Sequence, residues 1–149
     1  MGCLDYVLPC LYAFLSCLGF CFLFNNRGPG MLICSVGGAL GWLIYLLAEP
    51  LVRSDLIQAF LAAVGIAVFS ELMARLRHCP ATSYLLIAMF PLVPGRGIYR
   101  TMLYCITGET ELFFSTLLHT MGLAGCLAVG AMLVSAVVRL CRSAAALRR

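Results

Sequence analysis

Long apolar stretches alternate along this chain with short polar punctuation. Residues 6–24 form the first, nineteen without a charge. Pro9 lies near what would be its first helical turn, where proline is tolerated. Asn25-Asn26-Arg27-Gly28-Pro29-Gly30 reads as a tight polar turn. The second stretch, 31–48, is closed by Glu49-Pro50, and Gly37 and Gly41 in it have the small-xxx-small spacing that lets helix backbones approach closely. That spacing reads as packing within the chain rather than as a dimer face. The third, 56–74, has Asp55 before it and Arg75 and Arg77 after it. Its Ala59, Ala62, Ala63 and Gly65 predict close packing on one side, with Gln58 and Ser70 turned inward. The last, 112–138, holds 27 residues without Asp, Glu, Lys or Arg, long enough to tilt or protrude. Each stretch is long enough to cross the roughly 30 Å of a hydrocarbon core as a helix.

Between the third and last stretches lies an interrupted one, 81–107. Its centre is Phe90-Pro91-Leu92-Val93-Pro94-Gly95-Arg96-Gly97-Ile98-Tyr99-Arg100. Neither proline has a backbone N–H, and each ring crowds the preceding turn, so a continuous helix is disfavoured. The pattern predicts two half-helices joined by an unwound segment, helical periodicity resuming after Gly97. In hydrocarbon an unsatisfied backbone group costs several kcal/mol, so such a break belongs against protein or a wet cavity. The fold class is therefore an all-α integral membrane domain of about five transmembrane helices, the fourth broken at Pro-x-x-Pro-Gly.

Composition supports this. The chain has 149 residues, 63% hydrophobic and 11% charged, with a mean hydropathy of +1.03. A soluble domain of this size has no interior able to hide that much apolar surface. There is room for one membrane domain, 1–149, ending in a basic tail, 139–149. Met1-Gly2 is followed by Tyr6 where myristoylation wants Ser or Thr, and no basic leader precedes the first stretch. The nine cysteines include no C-x-x-C pair and no zinc spacing, so they read as packing residues and no metal or cofactor is expected.

The net charge of +4 comes from arginine alone. With five crossings, Arg27, Arg75, Arg77, Arg139, Arg142, Arg148 and Arg149 share one side, and Arg53 lies opposite with Glu49, Asp55, Glu109 and Glu111. The positive-inside rule then sets the N-terminus outside and the C-terminus in the cytoplasm. A re-entrant fourth element would reverse the last span and spoil this bias. No basic face interleaved with aromatics suits nucleic acid. Enzyme signatures (paired acids, Gly-x-Ser-x-Gly, His-Glu-x-x-His, a P-loop) are missing too, so no catalytic residues are assigned.

Three places could carry chemistry. The half-helix starting near Gly95 offers free N–H groups and its positive dipole end. Arg96 and Arg100, four apart, share a face suited to a carboxylate, and Tyr99 and Thr101 offer hydroxyls. Pro91, Pro94, Gly95, Arg96, Gly97, Tyr99 and Arg100 are thus the candidate substrate-binding set; the alternative is an ordinary kink with snorkelling arginines. His119, about two turns into the last stretch, is a candidate proton carrier or a neutral hydrogen-bond donor between helices. Glu71 is the second candidate for proton coupling, although Arg75 at i+4 favours a local ion pair.

The Pro91-Leu92-Val93-Pro94-Gly95 run, Ile98-Tyr99-Arg100 after it and Ala74-Arg75-Leu76-Arg77-His78-Cys79-Pro80-Ala81-Thr82 before it resemble the threonine/serine exporter family. The likeness is to its short split membrane subunit, equivalent to the C-terminal half of the fused exporter, and covers nearly the whole chain. It implies secondary export of threonine and serine, or of small dicarboxylates such as succinate, from a bacterial cytoplasm. It implies drive by a proton gradient or the membrane potential, and a larger multi-span partner subunit in the inner membrane. Pro91, Pro94, Gly95 and Tyr99 carry over as motif positions; the carboxylate role of Arg96 and Arg100 is inferred from the residues alone. Two other readings stay open: a non-transporting scaffold, and a small oligomeric channel or multidrug carrier.

Overall fold

The computed structural model describes residues 3–26 and 28–147. The readings of Met1 and Gly2, and of Arg27, Arg148 and Arg149 in the charge count, fall outside the described residues. Among the described residues six α-helices follow in order: α1 (Cys3–Leu23), α2 (Pro29–Ala48), α3 (Asp55–Arg77), α4 (Ala81–Met89), α5 (Gly95–Thr107) and α6 (Thr110–Leu147). A single 3₁₀ turn, Phe90–Leu92, lies between α4 and α5. Pro9 lies inside α1, which starts three residues earlier than the apolar run suggests. Helix α6 continues through the basic tail to Leu147. Alanine and arginine are good helix formers, so polarity there ends the apolar run without ending the helix.

Lipid supplies no hydrophobic drive between helices, so small residues that let backbones touch do most of the packing. A Cβ on Gly41 would collide with Ile66, and one on Gly37 would sit 3.1 Å from Phe69 and 3.2 Å from Ala88. The Gly37/Gly41 face therefore packs within the chain, α2 against α3 and α4. Gly65 reciprocates against Ile44. Ala59, Ala62, Ala63 and Ile66 of α3 bury themselves with Ala88, Leu92 and Leu127. Cys17 and Cys21 of α1, Cys34 of α2, and Tyr84 and Ile87 of α4 form a second buried cluster. Gln58 is buried and donates to Val52 O at 2.7 Å, pinning the loop ahead of α3.

The contacts between α3 and α6 settle how the broken element crosses. A Cβ on Gly122 would lie 3.0 Å from Leu56, and one on Gly130 would lie 2.9 Å from Ala63. Further along, Glu71 and Ala74 share a cleft with Val138 and Arg139. Residue numbers rise together along both helices, so α3 and α6 run parallel. The chain between them must then return from one end of the bundle to the other. Ala81–Leu92 and Gly95–Thr107 are bent by 55° but together make that one return crossing. A re-entrant loop would have left α3 and α6 antiparallel. Five crossings result. Gly108, at φ 78°, ends α5 in the left-handed conformation open to glycine and turns the chain straight into α6.

Candidate functional site: a charged cavity at the break in the fourth span

The break is tighter than two prolines and two glycines predict. Phe90–Leu92 keeps a 3₁₀ turn, only Val93 and Pro94 leave helical geometry, and α5 starts at Gly95, where the second half-helix is expected and two residues before the periodicity resumes. Pro94, at φ −74° and ψ 56°, is the centre of an inverse γ-turn closed by Gly95 N–H donating to Val93 O at 2.7 Å. Val93 N–H donates to Phe90 O at 3.2 Å, and Ile98 N–H to Pro94 O at 3.1 Å. Pro91 and Pro94 have no N–H to satisfy. The backbone donors of the break left without an acceptor among the described residues are therefore those of Arg96 and Gly97. Phe90 is braced by stacking on Phe20 of α1, centroids 4.1 Å apart.

The residues of the break line a cavity of about 610 Å³, within the range of small-molecule sites. Pro91 to Gly97 and Arg100 form one wall. Trp42 and Tyr45 of α2 form another, their rings stacked 5.6 Å apart. Asp55 and Ala59 of α3 and Thr116, His119, Thr120 and Leu123 of α6 complete it. Counted along α3, the cavity begins at its first residue and reaches Ala59. It thus lies at one end of the apolar run 56–74 and not at mid-span.

Glycine matters at 97 for space. A Cβ there would collide with the Thr120 hydroxyl, so α5 approaches α6 this closely only without one. Thr120 itself donates to Thr116 O at 2.7 Å, and Thr101 to Gly97 O at 2.8 Å. Both hydroxyls are spent on their own helices. Arg96 and Arg100 are exposed and have no carboxylate within 4 Å among the described residues. His119 Nε2 stands 3.8 Å from Asp55 Oδ2, both side chains about half exposed, an ion pair only when the imidazole is protonated. The buried Trp42 indole N–H has no acceptor among the described residues.

Of the sequence candidates, Pro91, Pro94, Gly95, Arg96, Gly97, Arg100 and His119 share this cavity. Tyr99 does not; it lies 67% exposed on another face of α5. Glu71 does not either, facing a cleft of about 250 Å³ beside Arg139 toward the other end of the bundle. Sequence reading missed Asp55, Trp42 and Tyr45 as site residues. An acid opening a span, and aromatics closing the one before, were the available signals. A groove of about 540 Å³ between α1 and α2 is lined by apolar side chains with Tyr6 and Cys10.

Fold and cavity together describe a helical membrane protein with a solute-sized cavity, lined in part by charged residues, at a broken span. The sequence profile described as "Threonine/Serine exporter, ThrE" matches residues 9–137. The chain belongs to this family, a family of transporters, and that membership supports a threonine/serine exporter role. No curated protein and no solved structure matches it.

Proposed function

We propose that this chain is a subunit of a secondary transporter that exports serine and threonine across a bacterial inner membrane, binding them in the cavity at the break. One observation carries the reading. Arg96, Gly97 and Arg100 line the same wall, and the two guanidinium groups and the backbone N–H groups of Arg96 and Gly97 have no partners among the described residues. Such donors suit a carboxylate, each charge-assisted bond contributing about 1.5–3 kcal/mol where well formed. Pro91, Pro94, Gly95 and Gly97 shape that wall. Because Arg96 and Arg100 are exposed, solvent screening puts their contribution at the low end of that range.

His119, paired with Asp55 on the cavity wall, is the coupling group for protons, ahead of the remote Glu71. The C-terminus lies in the cytoplasm. Arg96 and Arg100 line the cavity at the Asp55 end, so they join Arg53 and leave seven of ten arginines on the other side, a weaker bias of the same sign. A larger multi-span subunit supplies the rest of the transport unit, because one broken span and a cavity with exposed charges make an incomplete pathway. A second reading, export of a small dicarboxylate such as succinate, is favoured by the pair of arginines.

The test is counterflow of labelled serine, threonine and succinate in liposomes holding this chain with its larger subunit. Arg96→Gln and Arg100→Gln are expected to lower exchange about tenfold each while insertion is unchanged. Wild-type exchange by both would overturn the assignment. Efflux that persists without this chain would identify a scaffold, and transport by this chain alone would identify an oligomeric carrier.

A further inference from the structure

We infer that Asp55 is the seat for the substrate's ammonium group, so that the cavity takes a small amino acid as a zwitterion in one orientation. The carboxylate goes to Arg96 and Arg100 at the start of α5, and the ammonium goes across the cavity to Asp55. The inference rests on reading this cavity as the substrate site.

Charge placement carries it. Arg96, Arg100 and Asp55 line one cavity, yet among the described residues neither arginine comes within 4 Å of the carboxylate. Opposite charges sharing so small a space would ordinarily pair directly, as arginine and carboxylate do in bidentate fashion. Here they are held apart on different helices, α5 and α3. A solute carrying both an ammonium and a carboxylate neutralises both sides.

Asp55 has a weak partner in the meantime. His119 Nε2 at 3.8 Å is beyond hydrogen-bond distance and is cationic only when protonated. An ammonium placed at Asp55 takes over the role of the imidazolium, and the two cations compete for one carboxylate. A dicarboxylate meets the opposite situation. Its first carboxylate is satisfied by the arginines and its second is driven toward Asp55, where like charges repel. The cavity therefore selects against succinate and against any hydroxy acid of serine's shape that lacks the ammonium.

The experiment uses membrane vesicles holding the full chain in its native assembly, with labelled serine counterflow challenged by four unlabelled competitors. These are serine, glycerate (serine with hydroxyl for ammonium), ethanolamine (serine without carboxylate) and succinate. In the wild type, serine is expected to compete at least about tenfold better than each of the others. In Asp55→Asn the preference for serine over glycerate is expected to collapse by about tenfold or more, whereas Asp55→Glu keeps it. Arg96→Gln weakens serine and glycerate together and leaves ethanolamine unchanged. A purely structural role of Asp55 at the start of α3 would lower all rates without moving these ratios. An unchanged serine-to-glycerate ratio in Asp55→Asn overturns the inference, and so does succinate competing as well as serine in the wild type. The wild-type series decides even where Asp55→Asn fails to accumulate. If Arg96→Gln and Asp55→Asn both leave serine exchange untouched, the cavity itself is not the site, a separate failure.

Discussion

Replacing Gly97 with alanine tests whether the close approach of α5 to α6 matters for the site. The added Cβ would collide with Thr120 Oγ1 and lie 3.1 Å from Cγ2 and 3.3 Å from Cβ of the same residue. Ordinary carbon contacts are about 3.5–4.0 Å, so the hydroxyl overlap falls roughly 1 Å short. Rotation about χ1 brings no relief. Threonine is β-branched, a rotation that removes the oxygen moves another substituent, and the hydroxyl is tied to Thr116 O at 2.7 Å. Helix α5 must therefore shift, taking Arg96 and Arg100 with it. Overpacking of this kind costs about 1–3 kcal/mol, and the Gly-to-Ala gain in helix propensity, at most about 1 kcal/mol, offsets part. A net loss of about 1–2 kcal/mol and a tenfold or greater fall in serine exchange are expected. Thr120→Ala removes both colliding branches, and its own cost is small because the lost hydrogen bond lies within one helix. The double variant Gly97→Ala/Thr120→Ala should then recover most of the loss, a coupling of at least about 1 kcal/mol. Thermal unfolding of the solubilised chain and serine counterflow are the readouts. Additive effects, or a silent Gly97→Ala, would refute the reasoning.

Three further outcomes follow from the same geometry. Pro94→Ala restores an N–H and permits the helix to continue, so the 55° bend is expected to relax and exchange to fall below a tenth of wild type, with abundance in the membrane unchanged. His119→Gln keeps polarity at the cavity but holds no proton; counterflow should persist while stimulation by a pH gradient disappears, and gradient-driven export with wild-type stimulation would remove His119 from coupling. Tyr99→Phe should alter serine exchange less than twofold, since the phenol stands outside the cavity; a tenfold loss would mean that a partner or a rearranged state brings it to the substrate.

Much of the fold was legible because membrane spans are a local property. Length and absence of charge mark them, and the Pro-x-x-Pro-Gly break is written in residues that cannot continue a helix. The inward turn of Gln58 and Ser70 followed from the same logic, and both are buried. The cavity lining was legible in part. Pro91, Pro94, Gly95, Arg96, Gly97 and Arg100 could be picked out because the break gathers them in one stretch of chain. Asp55 escaped notice because its significance lies in a partner 64 positions away, His119, and no periodicity within α3 or α6 says that the two helices run side by side and parallel. Tyr99 shows the converse. Adjacent in sequence to Arg100, it falls about 100° round the helix and leaves the cavity. The break proved shorter than predicted because Gly95 and Gly97 take helical backbone angles; the positive-φ glycines are Gly28 and Gly108.

The break itself argues for a solute-facing role through its own hydrogen bonds. An interruption in hydrocarbon strands donors at the cost of several kcal/mol each, and evolution has little tolerance for it. Here Pro91 and Pro94 eliminate two N–H groups, the γ-turn at Pro94 and the 3₁₀ turn before it satisfy those of Gly95 and Val93, and Ile98 opens the next helix. What remains unsatisfied among the described residues is the pair at Arg96 and Gly97, adjacent in sequence and both residues on the cavity wall. A hinge serving only to bend the span would have no reason to flank those two donors with guanidinium groups, nor to face them with Asp55 and His119 from two other helices. Nor does the segment lie bare against acyl chains: Phe90 stacks on α1, and Leu92 packs against Gly41 of α2. The span is broken where donors are wanted, and closed on either side of that point.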